Sequence, residues 1–302
     1  MKNRRLWLGL AFISPWVVNF CVFTIYPLIS AIYYSLCDYC VLTPAYFVGM
    51  RNYTDMASDH LFWLALVNTL IFAVIYLPLS IGAALFLALL LNLRIPAQGL
   101  LRTIYFLPTI VPAVCLAVVW QWLLHGDGGL VNILIDPVLQ TCNGIFGTHL
   151  EPPNWLAQPG SARVALVFAS LWTLGNTVLI FLAALRDVPT HLYEAAEIDG
   201  ASHLQKYLHI TLPSISPVIF FIIISGLIGV MQTFAVPYVL ANGTDGPGRS
   251  LLFLSTYIFQ NAFQYWSMGY ACALSLVLFL LILILSLTMM RLSAKRIYSA
   301  AD

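Results

Sequence analysis

Glu194-Ala195-Ala196-Glu197-Ile198-Asp199-Gly200-Ala201-Ser202 runs on into His203-Leu204-Gln205-Lys206-Tyr207-Leu208-His209-Ile210-Thr211-Leu212-Pro213, a polar island in an otherwise apolar chain. Thr190 suits the N-cap of a short helix starting at His191, whose acids then fall in its first two turns, near the positive end of the helix dipole. Gly200 suits the left-handed residue that ends such a helix. Ser202 suits the cap of a second short helix, and Leu212-Pro213 hands the chain back to an apolar run. The expected element is a knob of two short helices at an angle on the end of a membrane bundle. On physical grounds alone, an ordinary amphipathic loop between spans accounts for these residues equally well.

The rest of the chain requires a membrane. Of 302 residues, 61% are hydrophobic and 8% charged, where a soluble domain carries about a quarter charged. Apolar runs long enough to cross a bilayer lie near 7–36, 62–91, 104–124, 164–185, 216–236 and 269–290. The expected fold is all-α and polytopic, with six transmembrane helices. The basic start, Met1 to Arg5, precedes a run of about 30 residues, longer than the apolar core of a cleaved signal peptide. A net charge of +1 argues against a nucleic-acid partner. The six cysteines show no metal spacing, and the one CxxC, Cys37 and Cys40, reads as free thiols more readily than as a redox pair.

Basic residues orient the chain. Lys2, Arg4, Arg5, Arg94, Arg102, Arg186, Lys206, Arg291, Lys295 and Arg296 fall on one side, and only Arg51, Arg163 and Arg249 on the other. Ten against three puts both termini and the Glu194 loop in the cytoplasm. Pro15 and Pro27 are expected to kink the first span, and Pro108 and Pro112 the third. A static kink and a mobile hinge both fit the second pair. Ser216-Pro217 suits the start of the fifth helix.

Glu194, Ala195, Ala196 and Gly200, then Ile210, Leu212 and Pro213, resemble almost position for position the coupling loop of permease subunits of binding-protein-dependent ATP-driven importers. Gly49 with Asn52 and Tyr53, and the stretch from Tyr257 to Gly269, are similar to the maltose-type carbohydrate branch. So is the turn at 242–247, where Asp245 replaces a usual glycine. The resemblance implies three segments: a first helix and outer loop (1–67), the permease core (68–292, with its coupling loop near 187–213) and a tail (293–302). It further implies that Glu194, Ala195, Ala196, Asp199, Gly200, Ile210, Leu212 and Pro213 dock on a separate ATPase. The implied partners are a second, similar permease in a heterodimer, two ATPase subunits, a periplasmic or lipid-anchored solute-binding protein, and membrane lipid. ATP and Mg would sit on the ATPase, with no cofactor on this chain.

Within the spans, Trp172, Thr173 and Asn176 share one helix face, and Gly226, Val230 and Thr233 form a stripe with Gln232 beside it. An asparagine at mid-membrane needs a partner or water. Interhelical bonding and a solute cavity both satisfy it, and the resemblance favours the cavity.

None of the six runs contains Asp, Glu, Lys, Arg or His, which counts against a charge-coupled secondary transporter. No Gly-x-x-x-x-Gly-Lys-Ser/Thr loop, zinc motif or nucleophile elbow occurs. Neither a catalytic set nor a metal site is expected, so the energy must come from another subunit. A passive channel or structural membrane subunit is the alternative, and a membrane enzyme a weaker third. The carried solute stays open among oligosaccharides, polyols and glycerol phosphates, with uncharged spans leaning towards a neutral one.

Overall fold

The computed structural model describes residues 2–93, 97–126, 128–149 and 151–293. Arg94, Lys295, Arg296 and the expected tail beyond Ser293 lie outside the described residues, as do the side chains of Lys2, Arg4 and Arg5. Among the described residues, four helical segments are long and apolar enough to cross a membrane: Ala11–Ser35, His60–Asn92, His203–Leu240 and Met268–Leu292. Two further helix pairs are apolar enough together but are bent at a short break. Gln98–Ile110 and Ala113–Leu123 meet at 101°, and Pro159–Leu171 and Gly175–Asp187 at 50°. Counting each bent pair as one span gives the expected six.

The breaks have different causes. Val111 is extended (ψ 130°) ahead of Pro112, because the ring of a proline excludes its predecessor from helical geometry. Pro108 stays inside its helix. The third span is therefore turned through a near right angle by one of its two prolines. The fourth span has no proline at 172–174, so the continuous run expected over 164–185 is corrected to two helices.

The fifth span also differs from expectation. Ser216-Pro217 lies inside a helix instead of opening one, and Leu212-Pro213 does not interrupt it, because one helix runs from His203 through a π-turn to Met231. A π-turn, Tyr207–Thr211, carries the Leu212 amide to the Tyr207 carbonyl and leaves Pro213 in a first-turn position, where its missing donor costs little. The first span uses the same device. Its π-turn, Cys21–Ile25, precedes Pro27, so the kink expected there is taken up as an inserted residue.

The chain divides into two compact units. The smaller joins Met1–Trp63 to Tyr257–Leu281. It contains a short antiparallel ribbon, Cys37–Asp38 against Tyr46–Phe47, a small departure from the all-α expectation. The Asn52 amide donates to the carbonyls of Ser35 (2.8 Å) and Cys37 (2.9 Å), and the Tyr53 hydroxyl to Ser35 Oγ (2.9 Å). Asn52 and Tyr53 thus tie the helix Arg51–Ser58 to the end of the first span. Asp59 accepts from the hydroxyls of Tyr257 and Tyr270 and from the Leu61 amide. Burial pushes the Asp59 carboxyl up, but these donors outweigh it and hold the group below its ordinary value. Burial and the carboxylate together push the Tyr257 hydroxyl up to about 12. All six cysteines are free.

The larger unit, Leu64–Thr256 with Ile282–Asp302, has a core in which Ala84, Ala88 and Leu91 of the second span meet Val178, Phe181 and Leu185 of the fourth and Ile215 and Ile222 of the fifth. Alanines one turn apart allow helices to approach closely. Asn68 at the start of the second span donates to the carbonyls of Arg249 (2.9 Å) and Leu252 (3.1 Å), and accepts from Arg163 (3.1 Å). Thr69 accepts from the Leu254 amide (3.0 Å). Asp245 pairs with Arg249 at 3.8 Å, so the residue that departs from the usual glycine closes its own turn. The connection at 125–163 folds into a helix, Leu130–Phe146. It is held by buried Asn132, which donates to Gly126 O and accepts from Trp155 Nε1 (2.7 Å).

Candidate functional site

The polar island folds as a helical hairpin. Its first helix is Thr190–Ile198, preceded by Pro189 with no side-chain cap. Thr190 is therefore the first helical residue and not the cap expected of it. The helix closes as expected, with Gly200 at φ +77°. The Ala201 amide bonds Ala196 O (2.9 Å) and the Gly200 amide bonds Glu197 O (3.1 Å), the paired bonds of a Schellman ending. Ser202 then caps the next helix in a full capping box with Gln205. The second arm is the first turns of the fifth span, which replaces the separate short helix expected there.

The tip of this hairpin is open. Glu194, Ala195, Asp199 and Gly200 are exposed, and so are the apolar side chains of Ile198 (87%) and Leu204 (66%). Ala196, Ile210, Leu212 and Pro213 are half-buried where the hairpin meets the bundle. Exposed apolar residues flanked by free carboxylates form a surface suited to a protein partner. At the base, Lys206 is buried and its Nζ lies 2.6 Å from Glu197 Oε1. The hydrogen bond from Lys206, and then its charge, hold the Glu197 carboxyl below its ordinary value.

The second feature is a cavity of about 510 Å³ among the second to fifth spans. It gathers Thr173, Asn176, Gly226, Val230 and Thr233 from the seven expected pathway residues. Trp172 and Gln232 are exposed and are not among its lining residues. Trp172 sits at the break of the fourth span and meets Trp120 edge-on, with ring centroids 5.8 Å apart. The break rotates it away from the face that helical spacing predicts. The lining also includes Tyr76, Ser80, Thr177 and Ser225, which sequence reasoning missed. Tyr76 and Ser80 are one turn apart within an apolar run, a polar stripe that could have been noticed.

Among the described residues, no Asp, Glu, Lys, Arg or His lines this cavity. Several hydroxyls are satisfied locally: Thr173 bonds Ser170 O (3.0 Å), Thr233 bonds Gly229 O (3.2 Å) and Tyr76 reaches Ser170 O (3.2 Å). Among the described residues, nothing in the chain hydrogen-bonds the Asn176 amide, which is exposed to the cavity. Interhelical bonding within this chain therefore does not explain it.

Residues 77–297 match the family model of the binding-protein-dependent transport system inner membrane component. The chain is 34% identical to the trehalose/maltose transport system permease protein MalF of Thermococcus litoralis, over 98% of this chain and 97% of that one. It is 34% identical to the lactose transport system permease protein LacF of Rhizobium radiobacter, over 90% and 89%. The crystal structure of a bacterial alginate ABC transporter, in complex with an alginate pentasaccharide-bound periplasmic protein, has the same fold, with a TM-score of 0.85 at 23% identity over 97% of this chain and 96% of that one.

Proposed function

The chain belongs to the family of binding-protein-dependent transport system inner membrane components, and on that premise we propose that it forms half of the path by which an ATP-driven importer carries a neutral sugar or a related polyhydroxy solute. The observation that carries this reading is the Asn176 amide, unpartnered among the described residues, in a cavity they line without charge and with Thr177, Ser225 and other hydroxyl side chains. An amide both donates to and accepts from hydroxyls, and a wall without fixed charge favours a solute without charge. Relatives named for lactose and for trehalose or maltose support the same class. Thr173, Gly226, Val230 and Thr233 belong to the proposed path. Trp172 and Gln232 lie outside this chain's own cavity.

The other half of the path is a second, similar permease. A solute-binding protein delivers the solute, and two ATPase subunits hold ATP and Mg. Glu194, Asp199 and the apolar tip at Ile198 and Leu204 dock on one ATPase. Closure of the ATPases moves the hairpin, and the loaded binding protein favours the same outward-open state, a shift that requires different affinities for the two states.

Losing the Asn176 contact should cost about 1–3 kcal/mol, roughly 5- to 150-fold in an equilibrium constant. Asn176→Leu is expected to reduce uptake by that order while sparing complex yield and ATPase stimulation by the binding protein. All three are measured on one preparation. Normal uptake would remove Asn176 from the path, and solute flux without ATP hydrolysis would favour a passive channel.

The proposed orientation has its own test. A membrane-impermeant thiol reagent should modify cysteine placed at Asp245 or Glu151 from outside intact cells. Cysteine placed at Gln205 should react only after the membrane is opened. The reverse pattern would put the hairpin on the side away from ATP.

A further inference from the structure

Gly200 is a weak point in the hairpin. It is exposed, left-handed, and has nothing within 4 Å of where a side chain would begin. A force applied to the tip could fold the hairpin at Gly200 instead of moving the fifth span. Two side-chain contacts close the hairpin behind this turn. Glu197 meets Lys206 at 2.6 Å, and one turn further back the hydroxyls of Tyr193 and Thr211 meet at 2.8 Å. Residues 193 and 197 are one turn apart on the first arm, and 206 and 211 are five apart across the π-turn on the second. The pairs 197–206 and 193–211 are therefore successive rungs of an antiparallel helix pair.

We propose that Lys206, through its bond to Glu197, is the positioning residue that makes the hairpin and the fifth span move as one body. This inference rests on the reading of the hairpin as the ATPase contact, and adds to it a residue outside the motif that identifies the loop. Lys206 is buried while Glu197 stays mostly in solvent. The ammonium therefore has a fixed location, and its partner's backbone is drawn towards the bundle. An ammonium that loses its partner in such a site is left desolvated and drives the arms apart. A methionine of similar length leaves the arms unlinked without stranding a charge.

The experiment compares Glu197→Gln, Lys206→Met and the double variant in the assembled importer, reading solute transported per ATP hydrolysed together with complex yield. The expected result is a fall in that ratio of about tenfold for Glu197→Gln, a smaller fall for Lys206→Met, and a double variant no worse than Lys206→Met, because both changes remove the same ion pair. Lys206→Arg should restore part of the ratio. A role confined to stability would lower yield or thermal midpoint and leave the ratio unchanged, which would overturn the proposal. So would falls that simply add in the double variant. Gly200→Pro separates the two levels. If it too transports normally, the hairpin is not the coupling element at all. If it is inactive while Lys206→Met and Glu197→Gln are normal, only the brace is wrong.

Discussion

Gly200→Pro is expected to leave the protein in the membrane at normal yield and to abolish ATP-driven uptake. Gly200 sits at φ +77° and donates its amide to Glu197 O at 3.1 Å. Proline fixes φ near −65° and has no amide to donate, so the turn cannot form and the tip is re-aimed. The milder Gly200→Ala meets no neighbour within 4 Å and bears only the left-handed penalty, about 1–2 kcal/mol. It should retain measurable uptake. Glu194→Lys tests the same surface by charge. Glu194 is exposed, so its reversal should not disturb the fold, yet it should stop uptake if a basic groove on the ATPase receives it. Uptake assays beside quantified membrane content decide all three. Normal transport in Gly200→Pro and Glu194→Lys would remove the hairpin from the mechanism.

The largest expected effect on stability is at Gly175, where the fourth span resumes after its break. A Cβ there would strike the Tyr105 carbonyl oxygen and lie 2.9 Å from Phe106 Cα and from Thr109 Cγ2. Two of those three atoms are backbone and cannot rotate aside. Gly175→Leu should therefore force the third and fourth spans apart, at a cost near the upper end of the roughly 1–3 kcal/mol typical of overpacking. The readout is a lowered thermal midpoint and reduced yield in detergent. Gly82→Ala is the comparison. A Cβ at Gly82 has nothing within 4 Å, and relieving a mid-helix glycine should leave stability unchanged or raise it by about 0.5–1 kcal/mol. Equal behaviour of the two variants would contradict the close approach at Gly175.

The centres of all six spans were legible in the sequence because hydropathy averages over a window and the bilayer sets its width. Their interruptions were legible only in part. Pro112 announces the break in the third span, although nothing local states that the angle is 101°. The break at 172–174 has no proline, and its only sequence trace is Gly175, whose reason is the neighbouring Tyr105 carbonyl. Pro213 and Pro217 misled in the opposite direction. Each reads as a helix boundary, but a π-turn upstream absorbs the first, and Pro217 lies inside the helix. Such a turn depends on which carbonyl each amide reaches, which residue type does not encode. The cavity shows the same division. Asn176 stood out by polarity, whereas the displacement of Trp172 followed from a bend that periodicity does not register.

The continuous helix from His203 through its π-turn to Met231 sets a further length scale. Its 4, 5 and 20 residues, 29 in all, span about 44 Å at 1.5 Å per residue, about half again the roughly 30 Å of hydrocarbon. Gly226 and Val230 lie in its far half, so part of the cavity wall and the second arm of the hairpin are carried on one element. A tilt of about 5° over that length sweeps one end through roughly 4 Å relative to the other. On the proposed docking of the hairpin on an ATPase, ångström-scale travel at its tip is passed to the cavity wall at a similar scale.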